Sequence, residues 1–143
     1  MSLYDYMYFQ VSVKAIVKDG PKILLLGTPD DYYDFPGGRI DETEKDLELH
    51  EVLKRELQEE LGNNIKFTVG DIAFASKRRY TKNNKENRLI AIFYEVNYIS
   101  GEIKLSEEHD TYRWIDPQSI LNKPNKFMSE DEYTNYKKYC SSF

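Results

Sequence analysis

The segment RELQEELG at residues 55–62 decides how this sequence is interpreted, because it places three carboxylates on one side of a helix. At about 100° per residue, offsets of three and four positions bring Glu56, Glu59 and Glu60 onto neighbouring turns of one face. Leucines repeat every four residues on the adjoining face, at Leu53, Leu57 and Leu61. This stripe predicts a helix that packs on a sheet, with the carboxylates at the border of the core.

Carboxylates this close together favour a bound cation. Their repulsion costs about 0.2–0.5 kcal/mol per pair on an exposed helix, and burial increases it. Mg²⁺ and Mn²⁺ take oxygen ligands, and Mg²⁺ commonly shares its shell between carboxylates, water and substrate phosphates. A solvated acidic face that ends at Gly62 would explain residues 59–62 equally well on their own. The loop before the helix favours the cation, because Pro36, Gly37 and Gly38 let backbone groups approach a ligand directly.

These residues resemble the signature of the Nudix hydrolases. That signature is a Gly, five residues, a Glu, seven residues, then Arg-Glu, an aliphatic residue, any residue, Glu-Glu, any residue and Gly. The matching residues here are Gly38, Glu44, Arg55, Glu56, Leu57, Glu59, Glu60 and Gly62. Ten residues separate Glu44 from Arg55, three more than in the signature, so Glu42 and Glu48 remain alternatives for the first Glu position. The insertion either lengthens the loop before the helix or adds most of a turn to its start.

The resemblance implies an α/β fold of the Nudix type, an α/β/α sandwich with a mixed β-sheet and the motif helix packed on it. It also implies metal-dependent hydrolysis of a phosphoanhydride bond in a nucleoside diphosphate linked to another moiety, with Mg²⁺ or Mn²⁺ as cofactor. The metal ligands that it implies are Gly38, Glu56, Glu59 and Glu60. Glu56 and Glu59 are also expected to be catalytic, and Arg55 is expected to orient the metal site by pairing with a motif glutamate.

The general base remains open between three glutamates. Relatives use a glutamate of the motif or one from a loop near the end of the sheet, and the SEEH sequence at residues 106–109 resembles that loop. Glu108 is the first candidate, followed by Glu107 and then Glu56. An ordinary solvated turn is the alternative explanation for Glu107 and Glu108. The unperturbed pKa of a histidine side chain lies near neutrality, but a packing or capping role is expected for His109.

Candidate substrate-binding residues lie on both sides of the motif, and they are Arg39, Arg78, Arg79, Tyr80, Tyr33 and Phe35. The aromatic rings before the glycine pair suit stacking on a base, and the basic cluster at 77–79 suits distal phosphates. The solubilising end of a hairpin is the alternative for this cluster. Tyr80 lies 18 residues beyond Gly62, about where dinucleoside-polyphosphate-cleaving relatives carry a tyrosine. Relatives that act on nucleotide sugars also carry an arginine directly after the glycine pair, where this chain has Arg39.

Composition favours one domain over residues 1–143 in a reducing compartment. A chain of 143 residues suffices for one core, and a single cysteine, Cys140, excludes an internal disulfide. The longest aliphatic run, residues 23–26, is too short for a membrane span, and residues 1–5 lack the features of a signal peptide. A cytoplasmic monomer or homodimer with no membrane partner is therefore expected. The net charge of −5 argues against a long nucleic acid and remains compatible with a small nucleotide substrate.

Periodicity elsewhere in the chain indicates an α/β domain, because strands surround one central helix and a terminal helix closes the chain. The polar segment 77–88 is predicted to join two strands, with Asn83 and Asn84 at its tip. Asp116 is predicted to cap a brief helix through Leu121, and Ser129 to open the final helix. The predicted strands cover residues 10–17, 22–26, 65–76, 89–99 and 112–115.

Two functions from other classes fit parts of the sequence. A catalytically silent Nudix module would bind a nucleotide as a sensor or scaffold. Such modules commonly lose a motif carboxylate or the arginine, whereas this chain keeps Arg55, Glu56, Glu59 and Glu60. An interaction domain with a purely structural acidic helix would bind no metal, so titration with Mn²⁺ or Mg²⁺ distinguishes it from the hydrolase.

Overall fold

The computed structural model describes residues 5–143, so the expectation about a signal peptide falls almost wholly on residues outside that range. Within the described residues, six strands form one mixed sheet in the order β4-β5-β1-β2-β6, and β3 also pairs with β1. β1 and β5 run parallel, whereas the other neighbours are antiparallel. The strands are β1 (Gln10–Asp19), β2 (Lys22–Leu26), β3 (Gly37–Arg39), β4 (Lys66–Lys82), β5 (Lys85–Ser100) and β6 (Tyr112–Ile115).

Two helices flank the sheet, α1 (Leu49–Leu61) and α2 (Glu130–Cys140). α1 ends at Gly62, whose φ of 96° favours glycine and whose N–H donates to the Gln58 carbonyl. The predicted cap of α2 is confirmed, because the Ser129 hydroxyl accepts a hydrogen bond from the Glu132 N–H. Short 3₁₀ helices cover Glu42–Glu44, Pro117–Ile120 and Pro124–Lys126. No helix in residues 5–143 is both long and apolar enough to cross a membrane.

Each helix packs on its own side of the sheet, which gives the predicted α/β/α layers. The leucine stripe of α1 is buried against one cluster, in which Val13 and Ala15 of β1 take part. The second cluster contains Ile16 of β1, Phe93 of β5 and Tyr136 of α2. The sheet is therefore apolar on both faces, and a cleft remains where β1 and β3 meet the carboxylates of α1.

The long hairpin of β4 and β5 corrects one prediction. The polar segment 77–88 was expected to be a connection, but its residues pair in register up to Lys82 and Lys85. Asn83 and Asn84 do form the tip, with φ angles of 54° and 59°. Two consecutive residues with positive φ are typical of a tight two-residue hairpin turn, and asparagine tolerates this conformation. The hairpin thus extends beyond the core, where its side chains are polar.

Candidate active site

The glycine pair of β3 brings backbone into contact with the carboxylates of α1. A Cβ atom on Gly38 would lie 2.3 Å from Glu56 Oε2, so the carboxylate occupies the space that any other side chain would need. A Cβ atom on Gly37 would lie 2.1 Å from the Val13 carbonyl oxygen of the neighbouring strand. Gly37 also has a φ of 141°, which other residues rarely adopt. The sheet therefore requires glycine at position 37, whereas a side chain at position 38 would displace the Glu56 carboxylate.

Arg55 connects three carboxylates. Its Nε donates to Glu44 Oε2 at 2.7 Å, its Nη2 to Glu56 Oε1 at 2.7 Å, and its Nη1 to Glu59 Oε1 at 2.5 Å. Glu44 is 3 % exposed, and its other oxygen accepts the Asp41 N–H at 3.1 Å. Because Glu44 is buried and paired with Arg55, it occupies the first Glu position of the motif.

The three-residue insertion lies in the loop before the helix. Glu44 ends the 3₁₀ turn Glu42–Glu44, and α1 begins only at Leu49. Glu42 and Glu48, the two alternatives for the first motif glutamate, are exposed. The extra residues therefore form surface turns and leave the spacing within the helix unchanged.

Among the three carboxylates of the motif helix, Glu60 has the least solvent contact, at 8 % exposure. Burial raises the pKa of Glu60 to about 7, although the nearby Lys14 opposes the rise. The Gly37 N–H points to Glu60 Oε2 at 3.4 Å. Burial also raises the pKa of Glu56, and the positive charge of Arg55 opposes this rise. A cation between these groups would offset a desolvation penalty that the protein alone leaves only partly compensated.

A buried chain of polar residues adjoins Glu60. Lys14 of β1 donates to Asp34 Oδ1 at 3.3 Å and to the Phe35 carbonyl at 3.0 Å. His109 Nε2 lies 2.8 Å from Asp34 Oδ2. Burial alone would raise the pKa of Asp34, but Lys14 and His109 lower it to about 2. The hydrogen bond to the Asp34 carboxylate raises the pKa of His109.

Sequence reasoning assigned no site role to Lys14 or Asp34 and expected His109 to pack or cap. One signal was available for Lys14, because it is a charged residue in the middle of a strand that is otherwise buried and mainly apolar. A lysine at such a position is rarely buried unless it is paired. The loop sequence at 106–109 had singled out Glu108, and the same loop brings His109 to the cleft.

These groups line one open cleft of about 530 Å³. It collects most of the residues predicted as functional, namely Gly38, Arg39, Glu56, Glu59, Glu60, Arg78 and Glu108. Glu107 lies in an adjoining depression that shares the three helix glutamates with the cleft. Acidic groups on one side and arginines on the other give a site suited to a polyanion that carries a cation.

A family model described as NUDIX domain matches residues 8–136. The chain belongs to the NUDIX domain family. Its six-stranded sheet and flanking helices are the fold that the motif implied, and it is a Nudix hydrolase. A solved structure of similar shape is the MutT protein from Methanosarcina mazei Go1, with a TM-score of 0.72, 26% identity and 94% of each chain covered.

Two curated proteins that are similar in sequence carry phosphatase names. The bis(5'-nucleosyl)-tetraphosphatase [asymmetrical] of Rattus norvegicus is 35% identical over 80 residues, which are 56% of this chain and 52% of the rat protein. The matched part thus spans about half the length of that relative. The nucleoside triphosphatase NudI of Escherichia coli is 26% identical over 121 residues, covering 77% of this chain and 84% of NudI.

Two aromatic residues predicted to stack on a substrate do not reach the Nudix cleft. Phe35 is 0 % exposed and packs edge-on against Phe93 with ring centroids 5.5 Å apart. Tyr33 is 5 % exposed and packs against Phe127 at 5.2 Å. The prediction was wrong because pairing of the following strand with β1 turns this loop segment into the core.

The basic residues of the hairpin separate into different environments. Arg78 lines the Nudix cleft, and its Nη2 lies 2.6 Å from Oε1 of the fully buried Glu132. The side chain of Arg79 is 77% exposed and lies 3.3 Å from Glu86, outside the cleft. The Tyr80 hydroxyl accepts a hydrogen bond from Arg39, whose guanidinium lies 5.3 Å from the centre of the tyrosine ring. Tyr80 is thus connected to the cleft through Arg39, whereas Arg79 is not.

Proposed function

We propose that this Nudix hydrolase catalyses metal-dependent hydrolysis of a phosphoanhydride bond in a nucleoside diphosphate linked to another moiety, in the cytoplasm. The substrate is then a nucleotide, a nucleotide sugar or a dinucleoside polyphosphate. One observation carries the proposal. Glu56 and Glu60, both largely buried, and the more exposed Glu59 face one cleft beside the backbone of Gly38, and arginines line the same cleft.

The residues that would hold the cation are Glu56, Glu59, Glu60 and the backbone of Gly38. Two features support this set. Burial raises the pKa of Glu60 to about 7 even with Lys14 nearby, so an added cation would stabilise the charged form of this carboxylate. The Glu56 carboxylate lies so close to Gly38 that a side chain at position 38 would clash with it. An ion held by this carboxylate would therefore also lie near the backbone of Gly38. A bound Mg²⁺ or Mn²⁺ would supply positive charge that stabilises the reacting phosphates, and it would lower the pKa of a bound water molecule.

The chain's own side chains divide the remaining tasks. Arg55 holds Glu44, Glu56 and Glu59 in fixed positions through its three donor groups, so the carboxylates are preorganised before substrate arrives. Glu108 lies at the edge of the cleft and is the proposed general base, with Glu107 as the alternative in the adjoining depression. Arg39 and Arg78 are proposed to bind the part of the substrate that lies beyond the reacting phosphates, because both line the cleft.

A substrate panel tests the proposal. The protein is incubated with Mg²⁺ and nucleoside triphosphates, nucleotide sugars, ADP-ribose or dinucleoside polyphosphates, and products are separated by ion-exchange chromatography. The variants are Glu59→Gln and Glu56→Gln, and the matched control is Glu51→Gln, which removes an exposed carboxylate of the same helix. Cleavage of one class, lost by several orders of magnitude in the first two variants and retained in the control, is the expected result.

Other outcomes would contradict the proposal. An unchanged rate in Glu59→Gln and Glu56→Gln would exclude these carboxylates as the reacting site. Nucleotide binding without turnover of any class would instead indicate the silent Nudix module that acts as sensor or scaffold. Absence of Mg²⁺ or Mn²⁺ binding in a calorimetric titration would indicate an interaction domain.

A further inference from the structure

A nitrogen ligand lies next to two of the carboxylates in the cleft. One of the two ring nitrogens of His109 and one carboxylate oxygen from each of Glu60 and Glu108 all lie within 4.8 Å of one another. The His109 side chain is only 10% exposed, so the ring is fixed in the wall of the cleft. Two carboxylates near each other are common on protein surfaces. A buried imidazole beside them is not, and its hydrogen bonds therefore matter.

The two ring nitrogens of His109 have different surroundings. Nε2 lies 2.8 Å from Asp34 Oδ2, and Asp34 is held from its other oxygen by Lys14 at 3.3 Å. Nδ1 is buried and has no hydrogen-bond partner within residues 5–143. A buried nitrogen without a partner is costly, so an unpaired Nδ1 in a cleft wall indicates that a ligand atom binds there.

The same pattern occurs at histidines that bind metals. A ligating imidazole donates its other N–H to a carboxylate, which fixes the ring orientation and the tautomer and increases the basicity of the ligating nitrogen. Asp34 supplies that carboxylate at Nε2, and in the neutral ring that donates Nε2–H to Asp34 the lone pair is on Nδ1. The Lys14 ammonium lies 3.3 Å from Asp34 Oδ1 and holds this carboxylate in place, so the orientation of the ring is determined before any ion binds.

We propose that His109 binds the divalent cation through Nδ1, together with the carboxylate of Glu60 and one oxygen of Glu108. This inference rests on the proposed metal-dependent hydrolysis and adds a nitrogen to the all-oxygen ligand set. Binding through one oxygen leaves the second oxygen of Glu108 to accept a proton. The cation takes the place of any proton on Nδ1, and that proton is released to solvent.

A nitrogen ligand changes which metal the site prefers. Imidazole is a ligand of divalent first-row transition metals, the affinity series that Mn²⁺ begins, whereas Mg²⁺ is bound through oxygen ligands. The protein is therefore expected to bind Mn²⁺ more tightly than Mg²⁺, and His109 is expected to be the source of the difference. A site made of the carboxylates alone would be expected to show a smaller preference for Mn²⁺ over Mg²⁺.

Pulsed electron paramagnetic resonance of the protein loaded with less than one equivalent of Mn²⁺ tests the ligand directly. Coupling of the Mn²⁺ electron spin to an imidazole ¹⁴N nucleus is expected in the unaltered protein. His109→Gln should remove the coupling and weaken Mn²⁺ binding on the order of tenfold or more, with a smaller effect on Mg²⁺. The sequence contains two histidines, so His50→Gln is the matched control. His50 is 43% exposed and belongs to a separate acidic cluster with Glu48 and Glu51.

The outcomes separate this inference from the proposed function. Absence of ¹⁴N coupling, while Glu60→Gln still weakens Mn²⁺ binding, would overturn the nitrogen ligand and leave the carboxylate site intact. Loss of the coupling in His50→Gln would place the ion at the exposed cluster and overturn the inference. Mn²⁺ binding unaffected by Glu60→Gln and Glu56→Gln would refute the proposed metal site itself. Coupling that is present in the unaltered protein and persists in His50→Gln assigns the nitrogen to His109 even where His109→Gln fails to fold.

Discussion

Replacing Glu60 with glutamine should stabilise the metal-free protein at alkaline pH while abolishing its activity. Glu60 is 8 % exposed, and burial raises its pKa to about 7 from an ordinary value of 4.5. Because the folded-state pKa is the higher one, this group favours folding below the unfolded-state pKa. That contribution is lost as the pH rises through the folded-state pKa. The difference corresponds to about 3 kcal/mol between acidic and alkaline conditions.

Glutamine removes the charge and keeps the shape, and its carbonyl oxygen can still accept the Gly37 N–H. Glu60→Gln is therefore expected to exceed the unaltered protein in free energy of unfolding by about 3 kcal/mol at pH 8, and by about 1 kcal/mol at pH 5. Urea unfolding in the presence of EDTA measures both values. Substrate turnover, measured with Mg²⁺ on the same samples, should fall to background.

A matched control comes from the same helix. Glu59 has a side chain that is 61% exposed and pairs with Arg55, so Glu59→Gln should change the stability by less than about 1 kcal/mol at either pH. An equal stability difference for Glu60→Gln at pH 5 and pH 8 would refute the reasoning, because the effect would then not arise from ionisation. A destabilised Glu60→Gln at pH 8 would show that the protein already compensates the buried charge without a metal.

Three further substitutions test the site and the revised role of Phe35. Gly38 has no positive φ, but a Cβ atom there would lie 2.3 Å from Glu56 Oε2. Gly38→Ala should therefore displace this carboxylate and lower kcat by about 100-fold with little loss of stability. Normal turnover in this variant would contradict the close contact. Phe35→Ala should cost about 3–5 kcal/mol in urea unfolding with little change in KM, because the ring is fully buried; a raised KM at full stability would restore its predicted role in substrate binding. Arg55→Ala leaves the buried Glu44 without its cation, so unfolding should be easier by about 3 kcal/mol and the Mg²⁺ Kd higher; calorimetry showing normal affinity would argue against the orienting role.

Local spacing was enough to predict the motif helix but not the full hairpin. The period of the leucines in α1 arises from one helix packing on one sheet, and that pattern is visible in a short window of sequence. The strand pairing at residues 77–88 depends instead on backbone hydrogen bonds between β4 and β5. The polar side chains of this segment give no sequence pattern from which that pairing could be predicted. Only the turn at Asn83 and Asn84 left a signal, because positive φ restricts the residue type.

The site was predictable to the extent that it is local. Glu56, Glu59 and Glu60 share a helix, and their proximity follows from helical geometry alone. Lys14 and Asp34 are 20 residues apart, and Asp34 and His109 are 75 residues apart. Neither contact produces a pattern in one sequence, because both depend on which strands become neighbours. The burial of Tyr33 and Phe35 also depends on which strands become neighbours, so it could not be predicted from the sequence.

The chain of contacts from Lys14 through Asp34 to His109 couples the ion site to the integrity of the whole domain. Its members come from β1, from the loop before β3 and from the loop before β6, and Glu60 adds α1. A chain in which any of these segments has separated has lost part of the cluster, so the ion is expected to bind the complete fold and not partly unfolded forms. Every tenfold increase of free ion above its Kd would then add about 1.4 kcal/mol to the free energy of unfolding. The concentration of a divalent cation in the cell would thereby set how long this protein resists unfolding and proteolysis, apart from any effect on its rate.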